Sequence, residues 1–327
     1  MPQSLRSRGR RPNRPWLAGV LAAVLVAGAG TVCDATAQAD AGHTRPEQAS
    51  FESAQAAVTA LVQAAESGST AAMARVLGPG SGRVLRSGDD AADAQARADF
   101  LTAYRQRSHV EGSEAGRATL YVGNNDWALP FPIVQSHARW RFDTRAGVQQ
   151  YLNRQIGANE LSALAVMNAY VQAQREYVLH DRDNDSVLEY AQRIVSSPGL
   201  HDGLYWPVAA GESLSPMGAR FALANLGPYR GTDDAPQPYD GYYFRQLTAQ
   251  GPDAPGGAYD YRVNGKQIGG YALLAWPARY GVSGVMTFIV NHDGVTYSKN
   301  LGRATSAQAQ AITAFNPDAT WKRETAP

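Results

Sequence analysis

The run Gly284-Val285-Met286-Thr287-Phe288-Ile289-Val290-Asn291, then His292-Asp293, then Gly294-Val295-Thr296-Tyr297-Ser298-Lys299 decides the fold class. Two β-prone stretches are hinged on Asn-His-Asp-Gly, a polar, glycine-closed turn, and that combination predicts an antiparallel hairpin. Upstream of it, 241–249, 258–263 and 271–276 alternate or cluster apolar and aromatic residues between turn signals, which predicts further strands. Downstream, 304–315 reads as a closing helix. The last third is therefore β-rich, and its strands are joined by turns rather than by crossover helices.

The earlier sequence has the opposite texture. Phe51, Ala54, Val58, Leu61, Val62 and Ala65 recur at helical spacing, and Gly68 ends that helix. Ser69 or Thr70 can cap a short second helix carrying Met73, Val76 and Leu77. A third spans about 90–105, with Phe100, Leu101 and Tyr104 turned inward. Strands follow at 118–122, 131–135 and 139–142, the last alternating strictly as Arg-Trp-Arg-Phe. After Thr144, the residues Leu161, Leu164, Met167, Tyr170, Val171, Gln174 and Tyr177 predict a long amphipathic helix. A polar loop at 180–186 leads to a second helix through Val187, Leu188, Ala191, Ile194 and Val195. Runs of helices followed by runs of strands argue for α+β rather than alternating βαβ. The expected parts are an N-terminal α+β domain over 50–150 and a C-terminal α+β domain over 151–327. The first has helices and a small antiparallel sheet. The second has a helical segment and an antiparallel sheet.

The N-terminus predicts export. Five arginines between Arg6 and Arg14 precede an uncharged greasy run, and Ala37-Gln38-Ala39 offers a small-x-small cleavage site. A signal peptide at 1–39 and a tether at 40–49 are expected, leaving no membrane span in the mature protein and placing it in the periplasm or outside the cell. The formal charge of +1 becomes −3 once five arginines and one aspartate leave with the signal. A mildly acidic chain without basic runs is a poor nucleic-acid binder. Cys33 is the only cysteine and leaves too, so the mature chain has no disulfide, thiolate nucleophile or cysteine metal site. Ser81 lacks the flanking glycines of a nucleophile elbow, with Pro79 and Arg83 in their places.

Several motifs occur in order along the chain: Leu77-Gly78-Pro79-Gly80, Ser87-Gly88-Asp89, Trp140-Arg141-Phe142-Asp143, Asn159-Glu160-Leu161, and Ala169-Tyr170-Val171-Gln172-Ala173-Gln174-Arg175-Glu176-Tyr177. Asp202-Gly203-Leu204-Tyr205-Trp206-Pro207, Leu247-Thr248-Ala249-Gln250-Gly251-Pro252 and Tyr280-Gly281-Val282 follow. Together they resemble the exported bacterial family known as domain of unknown function 2950. That resemblance spans about 50–322 and implies no activity. In shape, 50–143 is similar to the cone-like α+β domains of the nuclear transport factor 2 type, and 159–300 to a pilin-type head.

Two candidate sites emerge. Asp181, Asp183, Asp185 and Glu189 place acidic oxygens at alternating positions, a pattern that suits Ca²⁺. The calcium-loop glycine is Ser186 here and the distant glutamate is Gln192, and the same aspartates also serve as caps at a break between helices. Tyr205, Trp206 and Tyr242 fall in or beside loops, where rings stack on sugars or anchor an interface. The expectation is a non-catalytic binding or support module of the periplasm or cell envelope, its partner an envelope protein or a glycan. The alternatives are an envelope hydrolase or glycan-processing enzyme, with acids from Asp202, Asp240 or Glu212, and a calcium-stabilised envelope protein.

Overall fold

The computed structural model describes residues 48–86, 90–113, 116–208, 214–218 and 238–325. The leader with Cys33, Ser87-Gly88-Asp89, Glu212 and most of the 233–238 loop lie outside the described residues. Internal contacts group the chain into two compact units that divide between Tyr151 and Leu152.

The N-terminal unit opens with α1 (Ala54–Glu66) and α2 (Thr70–Leu77). Ser53 and Ser69 cap them, their hydroxyls accepting the N–H groups of Ala56 and Ala72 at 3.0 and 3.1 Å. A single turn, α3 (Gly82–Leu85), leads to α4 (Asp90–Gln106). The sheet that follows contains β1 (Ser108–Ser113), β2 (Arg117–Val122), β3 (Trp127–Ala128), β4 (Ile133–Ser136) and β5 (Arg139–Phe142). Its order is β1-β2-β4-β5, with β3 also on β2, and every pairing is antiparallel. Alternate residues of β2, namely Ala118, Leu120 and Val122, turn inward onto Val58 and Leu61 of α1. The sequence signals missed β1, because Ser-His-Val-Glu-Gly-Ser has no apolar alternation and its place is set by the backbone ladder to β2.

Helix α5 (Thr144–Tyr177) starts where Asp143 accepts the Ala146 N–H at 3.0 Å, and the unit boundary falls within it. The C-terminal unit has a second five-stranded antiparallel sheet, order β16-β15-β14-β13-β8. Its strands are β8 (Tyr242–Leu247), β13 (Ala272–Pro277), β14 (Thr287–Asn291), β15 (Thr296–Lys299) and β16 (Lys322–Arg323). The predicted hairpin is β14–β15, with Val290 opposite Thr296. Every residue of β13 and β14 is buried. On one face Leu273, Ala275, Phe288 and Val290 pack with Met167 and Tyr170 of α5. On the other, Leu274 and Ile289 pack with Ala309 and Phe315. Coverage of both faces is why these strands read as continuous apolar runs. Short pairs complete the unit: parallel β6 (Arg193–Val195) with β7 (Gly203–Tyr205), antiparallel β9 (Ala249–Gln250) with β10 (Tyr259–Asp260), and antiparallel β11 (Arg262–Val263) with β12 (Lys266–Gln267).

Two expectations are corrected. The helix expected over 187–195 is extended chain ending in β6. The closing helix is a 3₁₀ turn followed by α6 (Thr305–Ala311), which stops so that Phe315 can exchange backbone hydrogen bonds with Ala249 and Gly251. The architecture is mixed α+β, and no described helix is long and apolar enough to cross a membrane.

Candidate functional site

The acidic loop closes on a lysine. One carboxylate oxygen from each of Asp181, Asp183 and Asp185 lies within 4.8 Å of the others. Lys266, brought by β12, donates to Asp183 at 3.1 Å, touches Asp185, and lies 3.6 Å from Glu189. The loop also folds on its own carboxylates, since Asp181 accepts the N–H groups of Asn184 and Ser186, each at 2.8 Å, and Asp185 accepts that of Val187 at 2.9 Å. Glu189 accepts from Gln192 and from the Gln267 N–H, both at 3.3 Å. The hydrogen bond and charge of Lys266 hold the Asp183 carboxyl below the usual carboxylate range. The Lys266 ammonium thus meets Asp183, Asp185 and Glu189, while Asp181 is turned to the loop N–H groups.

The three expected ligand-stacking rings have different fates. Trp206 is only 2% exposed, stacked on His201 at 4.3 Å with the Arg182 guanidinium 5.0 Å from its centroid. Tyr242 is 1% exposed and its hydroxyl donates to the Met286 carbonyl at 2.9 Å. Both rings pack in the core of the C-terminal unit. Tyr205, in β7, is half-buried. Glu160 accepts the N–H groups of Val285 and Met286 at 2.9 and 3.0 Å, while Asn159 donates to the Ser283 carbonyl at 2.8 Å. The motif at 159–161 thereby clamps the turn before β14. Asp202 is spent on Ser197, and Asp240 on the Ser162 hydroxyl at 2.6 Å.

A concavity lies elsewhere among the described residues. A cavity of about 450 Å³ opens between β14, β15 and the chain that follows α6. Ile289, Leu301 and Ile312 supply apolar surface, while Lys299, Asn316, Asp318 and Trp321 supply a cation, an amide, a carboxylate and an indole. Asn316 is fixed by Asp253, donating to its carboxylate and accepting its N–H, both at 2.8 Å. Asp318 accepts the N–H of Thr320 at 2.8 Å and also its hydroxyl. These bonds, with a smaller contribution from Lys299, hold its carboxyl below the usual range. Asp318 is therefore an ionised hydrogen-bond acceptor at neutral pH, not a proton donor. Lys299 lies 5.7 Å from the Trp321 centroid. The signal in the sequence is Asn316-Pro317-Asp318, turn chemistry that stations an indole three residues on.

No curated protein and no solved structure matches the chain, so the likenesses to a cone-shaped domain and a pilin head rest on element order alone. The family described as "protein of unknown function (DUF2950)" matches residues 48–324, which covers both units, and the chain belongs to that family.

Proposed function

We propose that this chain is an exported binding module of the cell envelope that holds a glycan in the Trp321 cavity without cleaving it. The observation that carries the reading is the composition of that cavity. Its volume, about 450 Å³, falls in the range of small-ligand sites. An indole and aliphatic side chains face fixed polar groups, and a sugar ring, apolar on its faces and rimmed by hydroxyls, matches that division. The arginine-led leader supports export. Asp318, held ionised, supports hydrogen bonding over acid catalysis.

The test uses the mature chain and tetramers of N-acetylglucosamine and of glucose. Indole fluorescence should change on addition of at least one of them, and Trp321→Ala should weaken binding tenfold or more, about 1.4 kcal/mol per factor of ten. Mass spectrometry of the recovered sugar should show it intact. Shortened products would favour the hydrolase alternative. Equal binding by wild type and Trp321→Ala would remove this cavity from the account.

A further inference from the structure

We propose that the N-terminal unit has a second, independent ligand site, which takes a small carboxylate bearing an aromatic ring or short alkyl chain. The argument starts at α4. Over its 17 residues only Phe100 is fully buried, and the wall it turns toward the core presents Ala96 and Arg97 beside Asp93. Protein interiors are close-packed, so an alanine where a larger residue would fill the layer leaves a void. The void is a cavity of about 100 Å³ against Leu61, Met73, Leu77 and Phe131. Each of these four is at most 4% exposed, so the surrounding wall is ordered core rather than loop. An apolar cavity of about 150 Å³ encloses benzene, so this smaller one takes the inner part of a ring or a chain of a few carbons, with the polar end left at the rim.

Two charged groups, Asp93 and Arg97, lie on that wall. Asp93 is already engaged, and burial first, then the nearby Asp93 charge, raise the Tyr151 hydroxyl above its ordinary value. Arg97 forms no ion pair or hydrogen bond with the described residues, and it is half-buried. A guanidinium in that position gains most from a planar anion that can accept two parallel N–H bonds, which is a carboxylate. The apolar wall and the cation together select an amphipathic acid over a neutral hydrocarbon or a sugar.

The probes are benzoate and hexanoate, with benzyl alcohol as the neutral control, added to the full mature chain. Both acids should raise the melting midpoint and shift the Met73 methyl resonance. Arg97→Gln should weaken the acids about tenfold and leave the alcohol unchanged. Ala96→Leu, which fills the cavity, should abolish all three while the circular dichroism spectrum stays native. Trp321→Ala should bind the acids normally, which separates this site from the glycan reading. A wild-type protein whose Met73 methyl ignores both acids, or an Arg97→Gln variant that binds them as wild type does, overturns the proposal.

Discussion

Gln174 shows how one side chain can complete a backbone. It is fully buried on α5, and its amide reads both polar groups of Ala191. Its oxygen accepts the Ala191 N–H at 2.9 Å and its nitrogen donates to the Ala191 carbonyl at 2.9 Å, with the Tyr170 hydroxyl a further 3.1 Å contact. Ala191 is 1% exposed, so without the amide its N–H would be buried and unpaired, and its carbonyl would keep only the 3.3 Å bond from the Gln246 amide. Each such group costs about 1–3 kcal/mol. Gln174→Leu should therefore lower unfolding stability by about 1–3 kcal/mol, read as a fall in the urea midpoint at constant slope. A midpoint equal to wild type would show that Ala191 finds other partners. The helical spacing of the sequence already placed Gln174 on the inner face with Tyr170 and Tyr177. Its partner was illegible, because Ala191 was read as helical and a helix satisfies its own backbone.

At the scale of elements, the stretch from Asp181 to Val195 is where local reading fails. Its apolar residues are spaced like a helix, yet Val187 and Leu188 are 36% and 55% exposed. The backbone bonds go elsewhere: side chains of Asp181 and Asp185 take the loop N–H groups, Tyr190 donates to the Gln267 carbonyl at 2.8 Å, and β6 pairs with β7. Short apolar runs are ambiguous in this way, and distant partners decide them. Lys266, remote in sequence, is the decisive one. Its pairing with Asp183 lowers that carboxyl in the folded state, so the stability it contributes is present above the ordinary value near 3.8 and disappears as pH falls through the lowered folded value. Lys266→Met should remove that acid-side loss, so wild type and variant begin to approach each other near pH 3.8 and converge below the lowered folded value. Calcium supplies a second check. Millimolar Ca²⁺ should leave the wild-type melting midpoint where chelator leaves it, because the ammonium already contacts Asp183, Asp185 and Glu189, and should raise that of Lys266→Met. A wild-type midpoint that climbs with Ca²⁺ would mean the ion displaces Lys266.

Across the whole molecule, the α+β class was legible because helix-period and strand-period runs come in blocks. The cavities were not, because each is walled by residues from several elements and defined by what the side chains leave unfilled. Core chemistry also differs between the units, and this has a measurable consequence. The N-terminal core is built from residues such as Val58, Leu61, Leu120, Ile133 and Phe142. The C-terminal core buries Tyr170, Tyr177, Tyr242, Tyr261 and Tyr271, each at most 3% exposed. Burial raises all five hydroxyls above 10.0, Tyr177 and Tyr271 to about 12 and the others further. A raised value means the fold binds the proton more tightly than the open chain, so this stability is intact below pH 10 and lost as pH rises from 10 toward 12. A two-unit shift corresponds to about 3 kcal/mol, and several together are comparable with the roughly 5–15 kcal/mol that holds a domain. The C-terminal unit should thus unfold cooperatively on the way to pH 12, with tyrosinate absorbance appearing in one steep step. In a chain labelled with fluorotryptophan, the Trp206 and Trp276 resonances should lose their native shifts in that step, while Trp127 and Trp140 in the N-terminal unit keep theirs to higher pH. Gradual ionisation near pH 10 with all four resonances native would show that these hydroxyls reach water without unfolding, and the account of a tyrosine-locked core would fail.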